Sequence, residues 1–231
     1  MDQLPVFFNI TDQWVAVLGG GSSAVRKAEM AVRAGARVKV FADELCEEFD
    51  GLKTNKKFLH LPRALRAQDL EGCVLLYCAA DDAKQNQMAH AIARAARVPC
   101  NVVDRPELCD FIMPSIVDRS PVVIAISTAG TSPILGRMIK ARLETMLPAA
   151  YGQIADFVSR YRRKVGGALK NFQQRRHFWE RVLEGPVADL VLAGDILLHR
   201  LGRRGHASLS RAGFSGNADL QMQPPGVARF G

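Results

Sequence analysis

The residues best suited to chemistry form a glycine turn at the end of one apolar strand. The run Val15-Ala16-Val17-Leu18-Gly19-Gly20-Gly21-Ser22-Ser23-Ala24 reads as strand, tight turn and helix start. Its G-x-G-x-x-A spacing is the one that serves dinucleotides. Gly19 permits the turn, Gly21 leaves the backbone bare for a pyrophosphate, and Ala24 lets the helix lie close on the sheet. The N–H groups of the first helical turn, at Ser22 and Ser23, then face the phosphates. A plain tight turn uses the same residues, so context decides. A second apolar strand, Arg37 to Phe41, ends just before Asp43, about 20 residues on, where an acidic residue holds a ribose 2′-hydroxyl and disfavours a 2′-phosphate. That favours NAD over NADP. Glu44 is able to take the same role, and the alternative for Asp43 is a solvated loop charge or a helix cap.

A carboxylate, Asp104, follows the short strand Cys100-Asn101-Val102-Val103. By itself it reads as a turn-forming or helix-capping aspartate.

The elements that must position these groups alternate. A weak strand near Phe58 to Leu61 precedes the apolar run Cys73 to Ala80, a central parallel strand by its composition. A helix follows from about Asp82 to Arg97, with an apolar face through Met88, Ala91, Ile92 and Ala95. Such alternation predicts an α/β fold, a Rossmann-like doubly wound parallel sheet over residues 1–113. Ligands collect beyond the carboxyl ends of its strands. Ala80 and Asn101 stand at those ends and join the cofactor set.

From Phe111 the pattern changes. A strand over Val122 to Ile126, a hydroxyl-rich turn Ser127 to Pro133 and a helix to Met146 make a small α+β unit over 114–147. Its core is too small to stand alone, so it is expected to pair with a second copy of itself as a homodimer. Residues 148–204 read as a helical region with arginine-rich faces, and 205–231 as a disordered tail.

Composition bounds the class. The chain has 231 residues, 48% hydrophobic, and a net charge of +8. Residues 1–113 are close to neutral and residues 114–231 carry the basic surplus. No apolar stretch approaches a membrane span and no signal pattern opens the chain, so a cytoplasmic protein without membrane contact is expected. The five cysteines lack C-x-x-C spacing. They read as free, mostly buried thiols rather than disulfides or a zinc site. Cys73 and Cys78, five apart on one strand, are expected on opposite faces. No helix-turn-helix, zinc or stacking motif supports nucleic-acid binding.

Three segments carry a more specific likeness: LPVFFNITDQWVAVLGGGSSAVRKA, CNVVDRPELCDFIMPSIVDRSPVVIAISTAGTSPILGRMIK and RRHFWERV. Together they resemble the bifunctional precorrin-2 dehydrogenase and sirohydrochlorin ferrochelatase, the N-terminal module of sirohaem synthases. The resemblance implies NAD-linked oxidation of precorrin-2 to sirohydrochlorin, then insertion of ferrous iron, a substrate, to give sirohaem. It implies a homodimer joined through the middle unit, with Asp104 as acid/base residue in both steps. It also gives the basic half a purpose, since both tetrapyrroles are polycarboxylates suited to arginine forks. Arg119, Arg137 and the hydroxyl of Thr128 are the candidate substrate contacts. No protein-held metal is expected; His60, His90 and His177 read as surface or packing residues.

Two departures stand out. The family's SSGGTSP has Ala129 in place of a glycine here. Its long form continues into a methyltransferase domain that this chain does not reach, so no methyltransferase activity is expected. The rival reading is an NAD-sensing regulatory or interaction module without turnover.

Overall fold

The computed structural model of the chain describes residues 3–185 and Ala188. Two units emerge. The first comprises the chain up to Pro114 together with Ser127–Ser132, and the second Ser115–Ile126 and the chain from Pro133.

Five strands make the sheet of the first unit: β1 (Trp14–Leu18), β2 (Arg37–Phe41), β3 (Phe58–Leu61), β4 (Cys73–Cys78) and β5 (Cys100–Val102). All neighbours are parallel, in the order β3-β2-β1-β4-β5. The order reverses between β1 and β4, which opens a crevice at their carboxyl ends. Helices α1 (Ser22–Arg33), α2 (Asp50–Lys53) and α3 (Ala83–Ala96) connect the strands.

β1 is central, so both of its faces are covered. Val15 and Val17 pack on one side with Ala24, Val25, Ala28 and Ala31 of α1. Ala16 and Leu18 pack on the other with Ala89 and Ala93 of α3. Small residues dominate both helix faces, so each helix approaches the sheet closely. On α3 this overturns the expected face. Ala89, Ala93 and Asn86 are buried, whereas Ala91 and Ala95 are exposed, Ile92 is half-buried and Met88 is 67% exposed.

Cys73 and Cys78 also depart from expectation, since both lie in the core on the α3 side. Trp14 pairs with Cys73 but Val15 pairs with Leu75, so β4 carries a bulge at Val74. The extra residue flips the alternation and returns Cys73 to the face of Cys78. Cys73, Cys78 and Cys100 are buried, Cys46 and Cys109 half-buried, and all five are free.

In the second unit β6 (Ser115–Arg119) and β7 (Val122–Ile126) form an antiparallel hairpin. Three helices accompany it: α4 (Pro133–Met146), α5 (Ala150–Ala168) and α6 (Phe172–Leu183). Val117 is the buried residue of the hairpin. Gly152 of α5 lies against the turn, where a Cβ would stand 2.5 Å from Ser120 O. The expected helix beyond residue 188 and the tail 205–231 lie outside the described residues. Among the described residues no helix is long and apolar enough to cross a membrane.

The three turn glycines differ in what requires them. Gly19 has φ +117°, and a Cβ there would lie 2.3 Å from Ala79 O. At Gly20 a Cβ would lie 1.9 Å from Glu44 O. At Gly21 the nearest atom, Asp81 Oδ2, is 3.9 Å away, so the fold itself admits a side chain. Gly19→Ala is therefore expected to lower unfolding free energy by about 3 kcal/mol, and Gly21→Ala to change it by no more than about 0.5 kcal/mol, as read from urea denaturation.

Candidate active site

Backbone contacts bring the strand ends together. Gly19 N–H donates to Phe41 O, Ala79 N–H to Leu18 O and Val103 N–H to Cys78 O, at 2.8–2.9 Å. Above them opens a crevice of about 300 Å³, walled by residues that include Ser23, Ala80, Asp81, Asn86, Asp104 and Arg105.

Two buried amides hold its walls. Asn86 of α3 accepts from Ala80 N–H at 3.1 Å and donates to Ala80 O at 2.8 Å, fixing the chain where it leaves β4. Asn101 of β5 donates to Phe111 O at 2.9 Å. Asp110 accepts from Cys100 N–H at 3.0 Å, the Cys109 thiol lies 3.2 Å from both N and O of Val102, and Phe111 sits edge-on to Tyr77. The segment after β5 is thus tied back onto the sheet. Burial pushes the Cys78 thiol up to about 12 and Cys100 to about 11, so these sulfurs stay protonated at neutral pH.

Asp104 stands where this segment turns. Arg105 N–H donates to Val102 O at 3.3 Å, closing a turn in which Asp104 has φ +59°. Glycine or asparagine is the usual residue at such a position, and a side chain there costs roughly 1 kcal/mol. Its carboxylate is exposed to the crevice and makes no hydrogen bond or ion pair among the described residues. The short 3₁₀ turn that follows is preceded by Arg105 and has no side-chain cap, so Asp104 caps nothing.

The other expected residues divide. Ser23 and Ala80 line the crevice. Gly21 precedes α1 in extended backbone, with Ala24 N–H donating to its carbonyl, and Ala24 is fully buried beneath the helix. Ser22 Oγ donates to Glu48 Oε1 at 2.9 Å. Asp43 and Glu44 are exposed just past β2, and Asp43 caps no helix. Asn101 does not line the crevice; its amide braces the wall behind it.

The residues expected on the substrate are placed differently from one another. Arg119 is committed to the fold: its guanidinium donates to Leu147 O at 2.8 Å and Glu144 O at 3.3 Å, closing the last turn of α4. That is the usual favourable place for a cation at a helix C-terminus. Thr128 Oγ1 donates to Ser132 O at 3.2 Å within its own turn. Ala129 keeps the left-handed conformation of the glycine it replaces, with φ +50°. Arg137 is exposed on α4 and has no hydrogen bond or ion pair among the described residues. His60 is a packing residue, with Nε2 2.8 Å from Ala42 O. Among the described residues no cluster of three or more His, Cys, Asp or Glu is arranged to hold a metal.

Sequence reasoning missed Gly20, Asn86 and Asp110. Asn86 had a readable signal, since it continues the i, i+3, i+7 alanine face of α3 as a polar residue turned toward the sheet. Asp110 had none, because its partner is a backbone N–H ten residues earlier.

Three family models match the chain in succession: Putative NAD(P)-binding over residues 6–115, Sirohaem biosynthesis protein central over 119–146, and Sirohaem synthase dimerisation region over 150–196. A "Siroheme synthase" of Nitrosomonas europaea is 45% identical over 195 residues, covering 84% of this chain and 41% of the relative. Another, from Nitrosospira multiformis, is 46% identical over 198 residues, covering 84% and 42%. The chain thus spans about two fifths of the length of the curated relatives it matches. A solved structure of "SirC, precorrin-2 dehydrogenase" shares the fold, with a TM-score of 0.65 at 20% identity, covering 78% of this chain and 89% of that one. The three matched regions follow one another along residues 6–196, and the chain belongs to the sirohaem synthase family.

Proposed function

We propose that this protein oxidises precorrin-2 to sirohydrochlorin with NAD and then inserts ferrous iron into the product to give sirohaem. The observation that carries the reading is Asp104: a carboxylate with no hydrogen-bond or ion-pair partner among the described residues, held at positive φ on the wall of a crevice that Ser23 of α1 and Ala80 after β4 also line. Family membership supplies the substrate class.

The residues fit a dinucleotide. Gly21 is glycine although the fold leaves room there for a side chain, and the space a Cβ would take adjoins the first turn of α1. That is where N–H groups and helix dipole receive a pyrophosphate. Asp43, exposed past β2, receives the ribose 2′-hydroxyl, which favours NAD over NADP. NAD, when bound, supplies the hydride acceptor. Asp104 takes the proton that leaves as precorrin-2 loses its hydride, so one hydride and one proton account for the two-electron oxidation. Metallation releases two pyrrole N–H protons as ferrous iron enters. The same carboxylate takes them in turn and returns them to water from its exposed position, while the tetrapyrrole nitrogens supply the ligands.

A homodimer is part of the proposal. In the second unit Val123, Ile134 and Met138 are exposed by 36%, 64% and 51%. A hairpin and three helices with so much apolar surface in water fit burial against a second copy. The sequence expectation put the pairing surface at 114–147, whereas the family's dimerisation region matches 150–196. We place the surface across both.

Incubation with precorrin-2 and NAD is expected to produce NADH, and ferrous iron added afterwards to shift the absorption spectrum to that of sirohaem. No turnover in either assay overturns the reading in favour of a nucleotide-sensing module. Asp104→Asn keeps the side-chain shape and suits positive φ. It is expected to melt at the parent's temperature while both rates fall about 10²-fold, the scale of a positioned acid/base group. Gly21→Ala, folded normally, is expected to weaken NADH binding in a fluorescence titration by about tenfold or more, because its methyl occupies the pyrophosphate's approach. Sedimentation is expected to give a dimer at micromolar concentration; a monomer removes the homodimer.

A further inference from the structure

One charged side chain of the first unit has no role in the preceding account. Lys27 is the sixth residue of α1 and half-buried. Among the described residues its ammonium has no ion pair and no hydrogen bond. Its nearest favourable partner is an aromatic face: Nζ lies 5.7 Å from the ring centroid of Tyr77. Tyr77 is itself buried in β4 and packed edge-on to Phe111. Burial holds the lysine below its ordinary range, with Arg26 adding to the effect, while Cys109 and Asp104 draw on the charge at longer range. A cation–π contact recovers only part of what an ammonium loses on leaving water. A half-buried lysine without a carboxylate partner is therefore a group awaiting an anion.

Its place on the helix narrows which anion. Lys27 follows Ser23 by four residues, so the two share a face of α1, and Ser23 lines the crevice. Pyrophosphate belongs at the N–H groups of the first turn. Lys27 stands one turn deeper, on the side of Asp104 and Cys109, where the reacting ring must lie if Asp104 is to take its proton. The two crevice carboxylates, Asp81 and Asp104, repel a polyanionic substrate. Arg105 does little to offset this, being paired with Glu107.

We infer that Lys27 binds a peripheral carboxylate of the tetrapyrrole and so seats the macrocycle against Asp104. This rests on the functional reading above and adds to it a specificity residue contributed by the nucleotide-binding unit. The ammonium leaves the face of Tyr77 only slightly to meet the incoming carboxylate. The contact is a charge-assisted hydrogen bond in a partly dry site, the strong kind.

Lys27→Met retains the length and apolar stem against Tyr77 and removes the charge. Spectral titration with sirohydrochlorin alone, without nucleotide or iron, is expected to give a dissociation constant raised about tenfold or more. NADH affinity and melting temperature are expected to stay at the parent's values. In the dehydrogenase assay KM for precorrin-2 is expected to rise far more than kcat falls. Lys27→Arg, which keeps the charge, is expected to recover most of the affinity. A normally folded Lys27→Met protein with unchanged sirohydrochlorin affinity overturns the inference and leaves the functional reading standing. Weaker NADH binding with unchanged tetrapyrrole affinity overturns it too, and moves Lys27 to the cofactor phosphates. A parent protein that binds no tetrapyrrole overturns both.

Discussion

Everything in the first unit depends on how closely three backbones approach at the carboxyl ends of β1, β2 and β4. Gly19 bonds to Phe41 O, Gly20 O accepts from Cys46 N–H, and Ala79 bonds to Leu18 O. No side chain fits between them, as the 2.3 and 1.9 Å positions of the missing Cβ atoms at Gly19 and Gly20 make plain. This tightness fixes the direction in which α1 leaves the sheet, hence the aim of its N–H groups. It also fixes how far the end of β4 stands from the start of α1, hence the width of the crevice. A dinucleotide site of this kind is a packing problem before it is a chemical one.

The strained turn at Asp104 is the counterpart of that tight packing. A residue at positive φ persists only where its surroundings over-determine it. Here the over-determination is visible. Asn101 ties Phe111, Asp110 ties Cys100, and Cys109 rests on Val102, so both flanks of the turn at Asp104 are anchored to β5. Of these residues only Val102 lies on the crevice wall. Their work is to keep one exposed side chain at a fixed height over the strand ends, which a loop held only by its own turn would not do.

The parallel sheet, the glycine turn and the limits of β7 were legible in the sequence because each rests on local pattern: an apolar run, a spacing, a strand end. Asp104 by itself read as a turn residue, and its expected role came from the family resemblance. What escaped depended on contacts between distant segments. The bulge at Val74 is invisible in composition, yet it moves Cys73 to the other face. The buried face of α3 was misread because hydrophobic weight pointed to Met88 and Ile92, whereas close helix-on-sheet packing selects the smallest residues, Ala89 and Ala93. Arg119 was drawn toward the substrate by its charge and its place flanking the middle unit. Only the structure reveals that the carbonyls at the end of α4 already claim it.

Arg119 and Lys27 together show how net charge misleads about recognition. The basic surplus lies in residues 114–231, and the first half is nearly neutral. Yet a surplus charge matters to an anion only where it is unclaimed and partly desolvated, since an exposed cation is screened by water and salt and a paired one has little left to give. By that measure Arg119 is claimed by a helix end, and Arg176 by Glu180. Lys27, in the half whose charges cancel, is both unclaimed and half-buried. On the proposed reading, the field that draws a polycarboxylate toward the protein and the contact that seats it are supplied by different parts of the chain. The first is long-range and scales with the sum of charges. The second is local and scales with how dry the cation is.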